Sequence, residues 1–288
     1  MDTANCFRRS VLVTGASSGI GLATAIHLSN MGFRVFAGIR KKIDAERLQH
    51  NSNGMITAVQ LDITDMVSIS SAREFIESQT GGEGLSGLVN NAGIVVAGPL
   101  EFFDVEDLRR QLEVNLIGQV AVTQSFLPLI RKAKGRIVFM GSISGRVPYP
   151  FMAAYSASKF ALEAVADCLR IELMPWDIFV SIVEPGSIAT PIWEKSIAAA
   201  DARIKSFPHR AMELYGTVLP RVRRSAQESA RRAIPAARAA RAVTHALTSA
   251  SPKRRYIVGA NARIELVLRT LLPARLLDRL ISRHIGLR

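Results

Sequence analysis

Two groups of residues in this chain have the types and spacing for chemistry. The first is Thr14-Gly-Ala-Ser-Ser-Gly-Ile-Gly21, which follows the apolar run Val11-Leu-Val13 and opens a helical pattern through Leu22, Ile26 and Leu28. Gly15 allows a tight turn, Gly19 lets backbone N–H groups approach a pyrophosphate, and Gly21 lets the helix pack closely on a sheet. Phosphates beside Ser17, Ser18, Gly19 and Ile20 would meet the positive helix N-terminus, where N–H groups are free. A glycine triplet alone fits many strand–helix turns; its place directly after the first strand is what dinucleotide binding needs. The second group is Tyr155 and Lys159, four residues apart, which a helix presents on one face. A free tyrosine has a pKa of about 10, too high for an efficient base near neutral pH. A nearby ammonium, with an oxidised nicotinamide, would favour the phenolate. Tyr155 would then serve as base toward an alcohol or acid toward a carbonyl.

The end of the second strand bears on which dinucleotide is bound. A site for NAD(H) places a carboxylate there for the adenosine ribose hydroxyls. This chain reads Ala37-Gly-Ile-Arg-Lys-Lys42, with no acid before Asp44. Arg40, helped by Lys41 or Lys42, could grip a 2′-phosphate in a bidentate contact. The expected cofactor is NADP(H), with NAD(H) the alternative.

Five segments occur in a telling order: TGASSGIG at 14–21, Asn90-Asn-Ala-Gly93, Ser142, Tyr155-Ser-Ala-Ser-Lys159, and Pro185-Gly186 followed by Thr190. Together they resemble the short-chain dehydrogenase/reductase family, over about residues 10 to 192. Val-Phe-Ala-Gly at 35–38 and Val-Glu-Pro-Gly at 183–186 are similar to its hydroxysteroid and retinol dehydrogenase branch. The resemblance implies a Rossmann-like α/β fold with a doubly wound, seven-stranded parallel sheet, and a dimer or tetramer. It implies that Ser142 holds the substrate oxygen. Lys159 would also bond the nicotinamide ribose, and Asn115 would anchor a water in a proton relay to it. Asn90, with Ala92 and Gly93, would sit by the adenosine ribose, and Asp62 and Ile63 by the adenine. Pro185, Gly186 and Ile188 would line the nicotinamide face, and Thr190 would bond the carboxamide. Hydride would pass between the carbinol carbon and C4 of the nicotinamide.

The elements that must position these groups follow a regular alternation. Strands are expected at 11–13, 34–38, 56–61, 87–89, 135–140 and 179–183. Between them come helices at 44–50, 67–78, about 104–130 without a break, and about 151–174. Strands alternating with helices argue for βαβ units covered on both faces. Residues 190–252 read as helical, without a strand, and Tyr256-Ile-Val258 reads as a last strand. Residues about 191–220, with Ile192, Trp193, Phe207 and Met212, would cover the substrate, as this segment does in the resembled family. Beyond them, Ile264, Val267, Leu268 and Leu271 share one helical face. Leu276, Leu277, Leu280 and Ile281 follow after Pro273, flanked by arginines. Packing on the protein's own core or a subunit interface is the first expectation for these helices, about 262–288, and a membrane surface the second.

The length of 288 residues and the 48% hydrophobic and 21% charged composition suit one soluble domain, here taken as 1–288. No h-region of a signal peptide and no bilayer-length apolar run is present. Cys6 and Cys168 are too few for a disulfide framework. His27 lies in an apolar helix, and His209, His245 and His284 lack metal-ligand spacing, so no metal is expected. A cytoplasmic location follows, with peripheral membrane contact the alternative. The net charge of +13 is uneven: residues 1–200 hold 18 Lys/Arg and 19 Asp/Glu, whereas residues 201–288 hold 19 and 5. The basic segment lacks the interleaved aromatics of a nucleic-acid module, so no nucleic-acid partner is expected. The expected function is alcohol–ketone interconversion on a lipophilic small molecule such as a steroid or retinoid. The competing readings are a 3-ketoacyl reductase acting on coenzyme A or carrier-protein substrates, and a dinucleotide-binding sensor without catalysis. The presence of both Tyr155 and Lys159 counts against the sensor.

Overall fold

A computed structural model describes residues 9–50, 54–285 and 287; Cys6 lies outside them. In chain order the first half comprises β1 (Ser10–Val13), α1 (Gly19–Asn30), β2 (Arg34–Ile39), α2 (Ile43–His50), β3 (Ile56–Gln60), α3 (Met66–Gln79), β4 (Gly87–Asn90), α4 (Val105–Leu112), α5 (Gly118–Lys132) and β5 (Arg136–Met140). The second half comprises α6 (Ala153–Glu172), β6 (Phe179–Pro185), β7 (Ile188–Ala189), α7 (Ile192–Ile204), α8 (His209–Tyr215), α9 (Leu219–Arg231), β8 (Ile234–Pro235), α10 (Ala237–Thr248), β9 (Arg255–Val258), α11 (Ala260–Leu271) and α12 (Ala274–Ile285). Seven strands form one parallel sheet in the order β3-β2-β1-β4-β5-β6-β9. The order reverses between β1 and β4, and the crevice at the strands' carboxyl ends there is where such sheets bind ligands.

Both faces of the sheet are covered, so its strands read as runs of apolar residues. Alternate residues divide between two cores. Val11, Val13, Val35, Val89, Val138 and Val183 pack with Ala25 and Leu28 of α1 and Ala239 and Val243 of α10. Leu12, Phe36, Leu88, Ile137, Phe139 and Ile182 pack with Ile69 and Ile76 of α3, Phe126 of α5 and Leu162 of α6. The fold is therefore the expected Rossmann-like α/β arrangement.

Four expectations are corrected. The helix from 104 to 130 is interrupted by a π-helical stretch, Glu113–Ile117. A Cβ on Gly118 would lie 2.5 Å from the Ile63 carbonyl oxygen, so α5 passes very close to the segment after β3. Second, the stretch taken as strandless contains β8, which pairs in parallel with β7. Third, Ile264, Val267, Leu268 and Leu271 do not pack on the protein's own core: all four are exposed, Leu271 to 74%. On α12, Leu276 and Leu280 are exposed as well, and Leu277 is buried. The expected helix start near Phe151 shifts to Ala153, because Phe151 takes a left-handed conformation (φ 65°) that a helix cannot contain.

Candidate active site

The glycine loop leaves β1 and enters α1 at the crevice. Gly15 and Gly19 both have positive φ, 62° and 59°. A Cβ on Gly15 would lie 2.8 Å from Ala92 Cα, and one on Gly21 would lie 2.4 Å from the Gly15 carbonyl oxygen. Ser18 ends the loop as the α1 N-cap, yet its side chain makes no capping bond, and the first turn of α1 holds no acid. The helix N-terminus is thus left open to an anion. Thr14 Oγ1 accepts from the backbone N–H groups of Asn91 (2.9 Å) and Ala92 (3.0 Å). Asn91 Nδ2 donates to the Thr14 and Gly15 carbonyls at 2.9 and 3.1 Å.

Asn91 is the residue that sequence reasoning missed. Asn90, expected beside a ribose, is wholly buried at the end of β4, and its Nδ2 donates to Thr123 Oγ1 at 2.8 Å. Its Oδ1 is buried without a partner among the described residues. The only signal in the sequence was a second Asn just beyond the strand end.

The basic turn and the following acid lie together at the ends of β2 and β3. Arg40, Lys41 and Lys42 are exposed. Asp62 accepts from the Thr64 N–H (3.0 Å) and hydroxyl (2.7 Å). Partial burial raises the Asp62 pKa, but the Thr64 bonds and the Arg40 charge outweigh it, so the carboxyl stays below its usual range. Ile63 is buried beside it.

On the far side of the crevice, Thr190 faces the glycine loop: a Cβ on Gly19 would come within 3.1 Å of its side chain. Between β6 and Thr190, the Gly186 N–H donates to the Val258 carbonyl at 3.0 Å. Pro185 and Ile188 are buried, and the Ile188 carbonyl accepts from Trp193 Nε1 at 2.8 Å. The loop, the basic turn and this wall form a cradle in which added Cβ atoms would collide, and that fits a nicotinamide dinucleotide.

Ser142 follows β5, and its hydroxyl accepts from the Ser144 N–H at 3.1 Å. The Tyr155 phenol lies within its electrostatic reach. Lys159, one turn after Tyr155, is buried and donates to the Met140 carbonyl at 2.7 Å. Its Nζ lies 5.9 Å from the centre of the Tyr155 ring. Burial pushes Lys159 down to about 8, with the Glu163 charge opposing that fall. Without a bound dinucleotide, burial raises the Tyr155 pKa, and the Ser142 hydroxyl only partly offsets this. The ammonium alone does not draw the phenol down, since it is turned toward Met140. Asn115, in the π-helical stretch, is buried; its Oδ1 accepts from the Ile94 N–H at 2.8 Å, and its Nδ2 donates to the Ile94 carbonyl (3.0 Å) and Ser158 Oγ (3.1 Å). A Cβ on Gly93 would lie 3.3 Å from Asn115 Oδ1. Asn115 thus ties the segment after β4 to the helix that carries Tyr155 and Lys159, without bonding Lys159 itself. A hydroxyl, a phenol and an ammonium converge beside the cradle, a combination suited to moving a proton on and off one oxygen.

A family model described as short chain dehydrogenase matches residues 9–201. The chain belongs to the short-chain dehydrogenase family. Bovine 17-beta-hydroxysteroid dehydrogenase type 6 is 38% identical over 280 residues, covering 95% of this chain and 87% of that protein. Mouse retinol dehydrogenase 5 is 34% identical over 281 residues, covering 94% and 87%. Among solved structures, a short chain dehydrogenase from Burkholderia cenocepacia J2315 in complex with NADP superposes with a TM-score of 0.71 at 26% identity, over 95% of this chain and 98% of that one. This short-chain dehydrogenase is an oxidoreductase of the hydroxysteroid/retinol-like branch, and its cofactor is a nicotinamide dinucleotide. Among its described residues, no cluster of three His, Cys, Asp or Glu side chains could hold a metal, and no helix is long and apolar enough to cross a membrane.

Proposed function

We propose that this chain is an NADP(H)-dependent oxidoreductase interconverting an alcohol and a ketone or aldehyde on a lipophilic substrate such as a steroid or retinoid. The observation that carries the reading is the convergence of Ser142, Tyr155 and Lys159 just past the carboxyl end of β5, at the same end of the parallel sheet as the glycine loop. When bound, the dinucleotide supplies or accepts hydride. Ser142 Oγ holds the substrate oxygen. Tyr155 Oη gives that oxygen a proton as a carbonyl is reduced and takes it back in the reverse direction. Lys159 Nζ favours the phenolate by its charge. Arg40, with Lys41 and Lys42, supports preference for a 2′-phosphate, because Asp62 is the acid beside it and accepts its bonds from Thr64 rather than standing ready for ribose hydroxyls.

The segment at 191–220 serves as the substrate lid. Its α7 is held to the body by Arg203, which pairs with Asp107 at 2.7 Å, donates to the Ala97 carbonyl at 3.1 Å and lies over the Phe103 ring. Its α8 places Tyr215 edge-on to Phe102 and Phe151, both at 6.0 Å, and Tyr215 donates to Glu101 at 2.8 Å. This aromatic cluster, four residues from Tyr155 through Phe151, favours an apolar substrate. Of the expected lining residues, Trp193 and Phe207 are half-buried, whereas Ile192 and Met212 are exposed. A panel of ketones assayed with NADPH tests the reading. Steroidal or retinoid carbonyls should be reduced far faster than small polar ketones, and the reverse order would overturn the substrate class.

The exposed apolar face of α11 and α12 is flanked by the exposed Arg263, Arg269, Arg275, Arg279 and Arg283. An anionic lipid surface fits this face. A second copy on the same face would set these cations against one another. A homo-oligomer would therefore form through another surface.

A further inference from the structure

Behind Lys159 lies a buried charge cluster drawn from four separate segments. Glu163 is one turn beyond Lys159 on α6, and Glu184 is the residue before Pro185 on β6. Arg255 Nε, on β9, donates to Glu163 Oε2 at 3.1 Å and lies 3.2 Å from Glu184 Oε1 as an ion pair. Arg146, which follows the turn begun by Ser142, reaches Glu184 Oε1 at 3.4 Å. Arg255 also bonds Asp167, one turn beyond Glu163, and Asp167 pairs with Arg170. Glu184 is 0% exposed and Glu163 nearly so. Each keeps one buried oxygen, Glu163 Oε1 and Glu184 Oε2, with no donor among the described residues.

Two buried carboxylates beside one guanidinium cannot both ionise cheaply, and each leaves one oxygen without a donor among the described residues. A proton on Glu163 relieves the repulsion. Glu163 is also the charged group that opposes the fall of the Lys159 pKa.

We propose that Glu163 is a positioning residue that keeps Lys159 cationic, and that the neighbouring Glu184 carboxylate sets how strongly it does so. The inference rests on the acid–base reading of Tyr155 and Lys159. It gives the cluster a task that packing alone would not require: the charge on Lys159, and through it the phenol, responds to the state of the Glu163–Glu184 pair. Burial and the Glu184 charge push Glu163 up to about 7, against Arg255 and Arg146, so Glu163 changes state near neutral pH.

The test is a near-UV tyrosinate titration of the full chain saturated with NADP⁺ or NAD⁺, whichever binds tighter. Subtracting the Tyr155→Phe curve isolates one of the four tyrosines. Glu163→Gln should raise the Tyr155 midpoint by about half a pH unit or more, Glu163→Asp should restore most of the difference, and Glu184→Gln should lower the midpoint. A purely structural cluster would not move the midpoint in opposite directions. Should Glu163→Gln fail to fold, the downward shift in Glu184→Gln carries the test. Glu163→Gln and Glu184→Gln curves that coincide with the wild type overturn the inference while leaving the acid–base reading intact. A wild-type Tyr155 that titrates no lower than an ordinary phenol takes down that reading and this inference with it.

Discussion

At the scale of single residues, Arg40 carries the proposed choice between dinucleotides. Its guanidinium sits at the end of β2 beside an Asp62 whose carboxylate is occupied by Thr64. Arg40→Ala should weaken NADPH binding about tenfold to a hundredfold, the worth of a charge-assisted contact, and leave NADH binding nearly unchanged. Fluorescence titration with both cofactors checks this, and equal losses would remove Arg40 as selector. Glu163 offers a second test, in stability. Its pKa rises from 4.5 to about 7 on folding, so the folded state holds a proton that the unfolded state releases. The stabilisation is fully present below pH 4.5 and is lost as pH climbs through about 7. Urea melts should show the wild type losing stability relative to Glu163→Gln across that window; a constant difference would mean that Glu163 does not bind the proton. The Tyr155–Lys159 pair and the glycine loop were legible because their spacing is local. The cluster of Arg146, Glu163, Glu184 and Arg255 was not, since only the sheet order brings β6 and β9 together beside α6.

At the scale of elements, the turn from β1 into α1 has the least room for change. A Cβ on Gly21 would lie 2.4 Å from the Gly15 carbonyl oxygen and 2.5 Å from Asn91 Nδ2, the group that pins the loop. Gly21→Ala should therefore cost about 1–3 kcal/mol of stability and weaken dinucleotide binding at least tenfold, read from melts and titrations of one preparation. Unchanged binding would mean that the loop is not the phosphate cradle. Strands were readable in the sequence because both faces of the sheet are buried and each strand is a short apolar run. The π-helical break at Glu113–Ile117 was not, because it answers to a tertiary contact, Gly118 against the Ile63 carbonyl. The two-residue β8 was hidden for a similar reason: Ile234 and Pro235 become a strand only by pairing with Ile188 and Ala189.

At the scale of the whole molecule, charge and apolar surface are gathered at the C-terminal end. The arginine-flanked face of α11 and α12 should bind vesicles containing phosphatidylserine at low salt and release them as salt is raised, while neutral vesicles should be bound far less. No sedimentation with anionic vesicles at low salt would contradict that surface's proposed role. The helices themselves could be read from their period. Their exposure could not, because an amphipathic pattern shows that a face is apolar and leaves open what covers it. The central claim concerns the reaction. It is tested most directly by following NADPH oxidation with a steroidal or retinoid carbonyl, for wild type and Tyr155→Phe side by side. The account predicts alcohol formation by the wild type and a loss of about 10²–10⁴-fold in turnover for the variant, with NADPH affinity held within about twofold. Wild-type turnover by Tyr155→Phe would contradict it.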